Sequence, residues 1–391
     1  MARYNFDEMI DRRKTDSLKW DIPEGQLPMW VADMDFKTAP EIMDAIKEKA
    51  DEGAFGYTIV PDRWYDAYKM WWKERHDFTI ESEWLMFCTG VIPALSSIVR
   101  KMTTVGEKIL VQTPVYNIFF NSIVNNGRYI VENPLINDEN CYHINFEELE
   151  RKLSDTQTTM MILCNPHNPV GKIWSKEELE RIGELCYKYG VIVVSDEIHC
   201  DITTPGKGYI PFASVSDKCR DISISCVAPT KAFNMAGLQT SAIIVPNERM
   251  RAKVNRGINT DEVAEPNYFA IQAAVAAFTK GGEWLDELRT YIYENKMTVK
   301  KYIDENLKDV KTEVTDATYL MWIDCRNITD DSKRLAAFIR KNTGLYVSAG
   351  EQYGKAGEGY IRMNVACCRE ALNDGLERFK NGINMYRKRQ N

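Results

Sequence analysis

A lysine in a turn of small and apolar residues is the most reactive group that this sequence offers. Residues 225–239 read SCVAPTKAFNMAGLQ, so an apolar strand ends, a short turn follows and Lys231 lies in that turn. A lysine amine in an apolar, partly buried turn loses its proton more easily and can attack an aldehyde. Taken alone, the segment also fits a surface lysine in a loop, so the interpretation depends on partners elsewhere in the chain.

Two further polar segments follow predicted strands. Asn168 lies in NPHNPVG, residues 165–171, where proline and glycine fix an extended turn that projects the amide from a strand end. Asp196 directly follows an apolar run, and a carboxylate there can keep a ring nitrogen protonated. His199 would donate to a phenolate or be a core histidine with partners of its own. A plain strand-to-helix turn would explain the proline and glycine residues equally well.

A glycine turn and an aromatic residue complete the set. Gly90 stands between a predicted strand and a predicted helix, where it lets the free N–H groups of the helix start approach a phosphate. The turn lacks the fuller glycine pattern of nucleotide-binding loops. Tyr116, in TPVY, is an aromatic side chain at another strand end. A phosphate cradle, an aromatic face, an amide, a carboxylate and a lysine are what a flat, anionic pyridine with an aldehyde requires.

The order of apolar runs predicts an α/β fold that brings these segments together. The predicted strands are residues 109–112, 159–164, 191–195, 222–227 and 240–245. A helical stretch follows Tyr116, and a second covers residues 176–189, with Ser175 and Glu178 as a capping box. Strands that alternate with helices favour a mostly parallel central sheet with helices on both faces. Ligands bind such sheets at the carboxyl ends of the strands.

The pattern changes after residue 282 and predicts a smaller α+β domain. This part has helical patterns at residues 283–306, 332–342 and 369–389 and strand-like runs at 319–324 and 360–365. We therefore predict a large domain at residues 46–282 and a small domain at 283–391. The N-terminal segment, residues 1–45, has no strand–helix rhythm and is expected to pack with the small domain.

Composition excludes several classes of protein. The chain has 391 residues, 44% hydrophobic and 27% charged, which is ordinary globular usage and argues against disorder. The net charge of -7 disfavours nucleic acid as a partner. The ten cysteines match no zinc or disulfide spacing, so we expect no metal and a reducing, cytoplasmic location. Residues 1–14 are polar, so we expect no signal peptide, and no run is long enough to cross a membrane.

Several coincident motifs resemble those of fold-type I pyridoxal 5′-phosphate (PLP) enzymes, the aspartate aminotransferase superfamily. Within it the chain is similar to the MalY/PatB branch of cystathionine β-lyases and cysteine-S-conjugate β-lyases. The resemblance covers nearly the whole chain and is carried by residues 29–36 (MWVADMDF), 56–58 (GYT), 196–199 (DEIH), 228–234 (APTKAFN) and 360–366 (YIRMNVA).

The resemblance implies a role for each candidate residue. Lys231 would hold the cofactor as a Schiff base, Asp196 would pair with the pyridine nitrogen and Asn168 with the phenolic oxygen. Tyr116 would stack on the ring, and either it or Lys231 would supply a proton to the leaving group. Lys231, Tyr116 and Asp196 are therefore the expected catalytic residues.

The same resemblance implies which residues bind the phosphate of the cofactor and the carboxylate of the substrate. The phosphate would be held by the backbone of Gly90, Val91 and Ile92 and by the hydroxyl of Thr230. Tyr57 would reach the phosphate from the neighbouring subunit of a homodimer. Arg362 would bind the α-carboxylate of an amino acid substrate in a two-pronged pair. His199, also expected at the cofactor, replaces the tyrosine of aminotransferases, as is usual in this branch.

The expected activity is carbon–sulfur β-elimination from cystathionine or another cysteine S-conjugate, which gives a thiol, pyruvate and ammonia. An aminotransferase is the first alternative, since it needs the same lysine, aspartate and arginine. The block at residues 29–36, His199 and the missing second arginine, where Gln239 stands, favour the lyase. Asn117, where cystalysin-like members have a second tyrosine, leaves the thiol side of the substrate open. A non-catalytic regulatory or binding protein of this fold is the remaining alternative.

Overall fold

The computed structural model describes residues 3–138 and 141–390. The strands, numbered along the chain, are β1 (Leu27–Pro28), β2 (Leu85–Cys88), β3 (Lys108–Val111), β4 (Tyr129–Glu132), β5 (Ile136–Asp138), β6 (Cys141–His143), β7 (Thr158–Cys164), β8 (Ile192–Asp196), β9 (Ser223–Val227), β10 (Ser241–Ile244), β11 (Lys311–Thr312), β12 (Leu320–Asp324), β13 (Leu345–Tyr346), β14 (Ser348–Ala349) and β15 (Tyr360–Asn364). The α-helices are α1 (Pro40–Asp51), α2 (Asp62–His76), α3 (Val91–Met102), α4 (Ile118–Val124), α5 (Phe146–Leu153), α6 (Lys176–Tyr189), α7 (Asp217–Ile222), α8 (Glu248–Thr260), α9 (Ala270–Lys280), α10 (Gly282–Asn306), α11 (Ser332–Thr343) and α12 (Arg369–Gln390).

A seven-stranded sheet in the order β2-β10-β9-β8-β7-β3-β4 forms the centre of the molecule. The strands from β9 to β4 run parallel, and β10 is antiparallel to both of its neighbours. Alternate residues of β7 enter different cores, since Met160 and Ile162 pack on one side and Met161 and Leu163 on the other. A strand with two buried faces must be apolar throughout, which explains the unbroken apolar runs. The predicted α/β class with a mostly parallel sheet is confirmed.

The predicted elements of this sheet differ from the observed ones mainly at their ends. The capping box of α6 is present, with Ser175 accepting from the Glu178 N–H and the Glu178 carboxylate accepting from the Ser175 N–H. Residue 222, predicted to begin a strand, is the last residue of α7, and β9 begins at Ser223. Ser216 caps α7, and the polar residues before the strand belong to this short helix. Such one-residue differences leave the strand ends where the site residues need them.

A second sheet, in the order β11-β12-β15-β14, packs with α11 and α12 around its own apolar core. The N-terminal segment contributes to this core through Trp20, Leu27 and Met29, and β1 pairs in parallel with β13. Phe6 and Phe36 of the same segment instead enter the core beside the large sheet. The N-terminal segment therefore contacts both halves of the molecule.

Helix α10 also contributes to both cores. Its first half places Trp284 and Leu288 in the core beside the large sheet, whereas Val299 and Ile303 enter the core of the second sheet. The domain boundaries at residues 45 and 282 consequently stay a proposal, since the packing continues across them. No helix within the described residues has the length and apolar character that crossing a membrane would require.

Candidate active site

The carboxyl ends of the parallel strands open onto a cavity of about 260 Å³. Because β7, β8 and β9 are in parallel register, residues that follow their last positions meet at one edge of the sheet. The cavity is lined by Ala32, Thr89, Gly90, Val91, Ile92, Pro93, Tyr116, Cys164, Asn168, Asp196, Ile198, His199, Thr230, Lys231, Ala236, Gln239 and Thr240. Nine of the residues selected from the sequence are among them; the other two, Arg362 and Tyr57, are not.

Lys231 follows β9 through a three-residue turn, and its Nζ donates a hydrogen bond to the carbonyl oxygen of Ala32. Burial lowers the pKa of the Lys231 amine to about 8, although the carboxylates of Asp33 and Asp196 favour its charged form. The guanidinium of Arg362 adds to the lowering. A substantial fraction of this amine is therefore neutral near physiological pH, as a nucleophile or base requires.

Asp196 is the last residue of β8, and its Oδ1 accepts a hydrogen bond from the Ile198 N–H at 3.1 Å. Burial raises the pKa of its carboxyl to about 7, against the influence of that N–H and of the Lys231 ammonium. A buried carboxylate is stabilised by a cationic partner, and a protonated pyridine nitrogen in the cavity would be one.

Arg362, on β15, reaches the opposite side of the site from the second sheet. Its Nη1 donates to Asn168 Oδ1 at 3.3 Å, and its Nη2 donates to the Trp30 carbonyl at 2.9 Å. Its Cζ lies 4.8 Å from the centre of the Tyr353 ring, and its buried Nε has no hydrogen-bond partner in the part of the chain that the structure describes. Arg362 and Asn168 therefore form one unit at the edge of the cavity, held in place by the N-terminal segment.

Two further titratable groups in the cavity, Tyr116 and His199, are neutral at physiological pH. Burial raises the pKa of Tyr116 to about 12, so its phenol keeps its proton and can donate it. Burial, together with the cations Lys231 and Arg362, lowers the pKa of His199 to about 3. The Nδ1 of His199 is buried and has no partner among the described residues, which leaves it able to bind a ligand.

The amino end of α3 supplies a place for a phosphate. Gly90 is its N-cap, no side chain caps the first turn, and Val91 and Ile92 present their backbone at the cavity. Across the cavity lies Thr240, whose buried Oγ1 lacks a partner among the described residues. Unpaired helix N–H groups and free hydroxyl groups bind anions, so the residues present fit a phosphorylated cofactor.

Other predicted positions lie outside this cavity. Tyr57 is fully exposed in an extended stretch ahead of α2, away from the cavity of its own chain. Asp201, two residues after the DEIH motif at residues 196–199, accepts a hydrogen bond from Trp71 Nε1 and lies 2.9 Å from His76 Nε2, so it belongs to the core.

Sequence reasoning missed several residues of the site. Ala32, Thr240 and Cys164 line the cavity, and Tyr319 OH donates to the Ala32 carbonyl at 2.9 Å. The block at residues 29–36 was the available signal, because its sequence is typical of one branch of the superfamily. Its contacts to the site run largely through backbone carbonyls, which no residue type reveals.

Comparison with known proteins agrees with this geometry. Residues 25–379 match the family described as aminotransferase class I and II. Cystathionine β-lyase PatB of Bacillus subtilis is 44% identical over 96% of this chain and 99% of its own length. The protein MalY of Escherichia coli is 29% identical over 98% of this chain and 100% of its own length.

The chain belongs to the MalY/PatB branch of the class I and II aminotransferase family.

This MalY/PatB-family chain also has the same fold as a solved structure. Cystalysin from Treponema denticola, which contains a PLP cofactor, has a TM-score of 0.95 and 32% identity, covering 98% of this chain and 99% of its own. The cofactor of this MalY/PatB-family chain is PLP, in agreement with the anion site at α3 and the lysine beside it.

Proposed function

We propose that this protein is a PLP-dependent carbon–sulfur β-lyase that cleaves cystathionine or related cysteine S-conjugates to a thiol, pyruvate and ammonia. The observation that carries the proposal is that Lys231, Asp196 and Asn168 line one cavity, and that Arg362, which lies outside this lining, donates a hydrogen bond to Asn168. Membership of a branch that includes cystathionine β-lyase PatB supports it.

The residues that would hold the cofactor surround the cavity. The α3 backbone at Val91 and Ile92 and the Thr230 hydroxyl would bind the phosphate. Asp196 would bind the ring nitrogen, Asn168 and His199 would bind the phenolic oxygen, and Tyr116 would offer an aromatic face; all four line the cavity. When bound, the cofactor supplies an electron sink that makes the Cα–H bond of an amino acid acidic.

Arg362 would bind the α-carboxylate of the substrate. Its two Nη groups now donate to Asn168 Oδ1 and to the Trp30 carbonyl, so both are fixed on one side of the cavity. A guanidinium that is immobilised in this way loses little entropy when it forms a two-pronged pair.

Lys231 would take the Cα proton, since burial lowers the pKa of its amine to about 8 and so raises the fraction that is neutral near physiological pH. The Cβ–S bond then breaks with its electron pair on sulfur, and the ammonium of Lys231 or the phenol of Tyr116 returns a proton to the thiolate. Both groups line the same cavity, and positioned proton transfer of this kind contributes about 10²- to 10⁴-fold in rate.

Pyruvate release without an added keto acid tests the activity. The holoenzyme would be incubated with cystathionine and with S-methylcysteine, and pyruvate and free thiol would be measured. We expect equal amounts of both products, complete loss in Lys231→Ala and full activity in Lys207→Ala, a lysine on an exposed loop. Product formation that requires a keto-acid acceptor would instead identify an aminotransferase.

We also propose a homodimer in which Tyr57 completes the phosphate site of the partner. Phe55, Tyr57 and Ile59 are 64%, 102% and 79% exposed, an apolar patch that a second copy would cover. Beside it lies a groove of about 810 Å³ between α2 and α8. Light scattering after gel filtration should give twice the chain mass, and Tyr57→Ala should weaken PLP binding; a monomer with full PLP affinity would refute the proposal.

A cytoplasmic location is a further part of the proposal. All ten cysteines are free, and nine of them are buried, which suits a reducing compartment. Recovery of the protein in the periplasmic or secreted fraction of its cell would contradict it.

A further inference from the structure

A histidine, a cysteine and an aspartate meet in the core, where α2 ends against the turn that follows β8. His76 is the last residue of α2, and Cys200 and Asp201 come shortly after β8. The imidazole nitrogen, the thiol sulfur and the carboxylate oxygen that they offer all lie within 4.8 Å of one another. Cys200 is 1% exposed, and the side chains of His76 and Asp201 are 7% and 3% exposed. These three residues, here called the His76 cluster, are therefore enclosed by protein.

Asp201 uses only one of its two carboxylate oxygens. Its Oδ1 accepts a hydrogen bond from Trp71 Nε1 at 2.9 Å and lies 2.9 Å from His76 Nε2. Its Oδ2 is also buried, yet it has no hydrogen-bond partner within the described residues. A buried carboxylate oxygen without a partner costs free energy, which a bound cation would recover. This oxygen is an observation independent of the residue types, and it points to a cationic ligand.

The surroundings of the His76 cluster hold its side chains in place. The His76 ring packs edge-on against the Tyr209 ring, with the centroids 4.7 Å apart, and its centroid lies 5.6 Å from that of Trp72. Tyr209 OH donates to Glu197 Oε2 at 3.1 Å and accepts from Trp72 Nε1 at 3.2 Å, so this hydroxyl is already engaged. The Cys200 N–H donates to the Glu197 carbonyl at 3.0 Å, which fixes the turn. The metal-binding atoms are therefore pre-organised.

The types of these atoms favour one metal. Nitrogen, sulfur and oxygen donors together are typical of tetrahedral Zn²⁺, whereas Ca²⁺ and Mg²⁺ prefer oxygen ligands alone. A thiolate and a carboxylate balance both charges of the ion, so the occupied cluster adds no net charge to the core. Zinc–ligand bonds of about 2.0–2.3 Å place tetrahedral ligand atoms about 3.5 Å apart, so three atoms within 4.8 Å need to move inward by only about 1 Å.

We propose that the His76 cluster is a zinc site, in which His76 Nε2, Cys200 Sγ and Asp201 Oδ2 bind one Zn²⁺ and tie the end of α2 to the turn after β8. The thiol releases its proton to solvent, and the proton of the neutral imidazole lies on Nδ1. Trp71 Nε1 keeps its hydrogen bond to Oδ1 and orients the carboxylate. All three ligands lie outside the lining of the cavity that contains Lys231, so the ion acts on the fold and not on the substrate.

No local spacing marks this site. His76 and Asp201 are 125 residues apart, whereas the expectation of no metal rested on cysteine spacings along the chain. Only the packing of α2 against the turn after β8 brings the ligands together.

Zinc binding to the purified holoenzyme tests the site. The protein would be dialysed against a chelator and then equilibrated with ZnCl₂, and bound zinc would be measured by atomic absorption. We expect one zinc per chain, and an affinity that is more than about 100-fold weaker in Cys200→Ala and in His76→Gln, since loss of a ligand exceeds the 10- to 100-fold effect of an outer partner. Trp71→Phe, which removes only the N–H donor to Oδ1, should weaken binding about 10- to 100-fold.

Two exposed residues provide a matched control. Cys141 and His143 lie two positions apart on β6, so they offer zinc a thiol and an imidazole on one face of a strand. The double variant Cys141→Ala/His143→Gln should bind zinc as the wild type does. Every variant keeps PLP, so zinc held by the cofactor itself would persist in Cys200→Ala.

Cobalt(II) supplies a second readout that does not depend on affinity alone. Tetrahedral Co²⁺ with a thiolate ligand absorbs at longer wavelengths than PLP, and this band should be present in the wild type and absent in Cys200→Ala. If His76→Gln does not fold, Cys200→Ala and the cobalt spectrum still decide. A wild type that binds no zinc, binding retained in Cys200→Ala, or binding lost in the β6 double variant would overturn the proposal.

Discussion

Replacing Arg362 with lysine should weaken the recognition of the substrate carboxylate by a calculable amount. The two Nη groups of Arg362 diverge to Asn168 Oδ1 and to the Trp30 carbonyl, 3.3 Å and 2.9 Å away. A lysine has a single Nζ and cannot present two parallel donors to a carboxylate. One charge-assisted hydrogen bond is worth about 1.5–3 kcal/mol, so we expect kcat/KM to fall about 10- to 150-fold.

The assay compares a carboxylate substrate with its ester. Thiol release from S-methylcysteine and from its methyl ester would be followed in wild type and in Arg362→Lys. Because the ester lacks the anion, the variant should lose little on it. Arg326→Lys is the matched control, since Arg326 forms a comparable two-pronged pair with Asp324 away from the site. An equal loss on both substrates, or none on the acid, would refute the carboxylate role of Arg362.

Three further predictions concern the amine, the phosphate site and the core. Because the pKa of Lys231 is about 8, the rate at which the apoprotein binds PLP should rise about tenfold per pH unit below pH 8 and then level off; a rise that continues to pH 10 would contradict this. Thr230→Ala should weaken PLP binding about tenfold in equilibrium dialysis, whereas Thr230→Ser should bind nearly as wild type. A Cβ on Gly183 would lie 2.2 Å from Cys219 Sγ, so Gly183→Ala should lower the free energy of unfolding, measured in urea, by about 1–3 kcal/mol. The added substitution Cys219→Ala should recover part of this loss. Additive losses in the double variant would contradict the packing argument.

Much of the site could be predicted because its chemistry lies at strand ends. Asp196 ends β8, and Asn168 and Lys231 follow β7 and β9; parallel register necessarily brings such positions together. The local sequence therefore indicated both the residue types and their common edge. The position of Gly90 at the cavity, as the N-cap of α3, was predictable for a similar reason, since a glycine before a helix marks the helix start.

The position of the segment at residues 30–36, beside the lysine, could not be predicted in the same way. Its Ala32 carbonyl reaches Lys231 across 199 residues of sequence, and a main-chain oxygen has no residue type that marks it. The two-residue strands β1 and β13 are likewise too short to produce a periodic pattern, although their pairing ties the N-terminal segment to the second sheet. Long-range backbone contacts of this kind follow from the assembled fold alone.

Helix α10 runs without interruption through 25 residues, and its two halves are anchored in different apolar cores. If one half of the helix loses its packing, the other half loses the support of a continuous helix. The stabilities of the two cores are therefore thermodynamically coupled. A heat-capacity scan of the chain should consequently show one endotherm. A substitution at Val299, in the core of the second sheet, should also lower the temperature at which Asp196 and Lys231 lose their alignment at the edge of the large sheet.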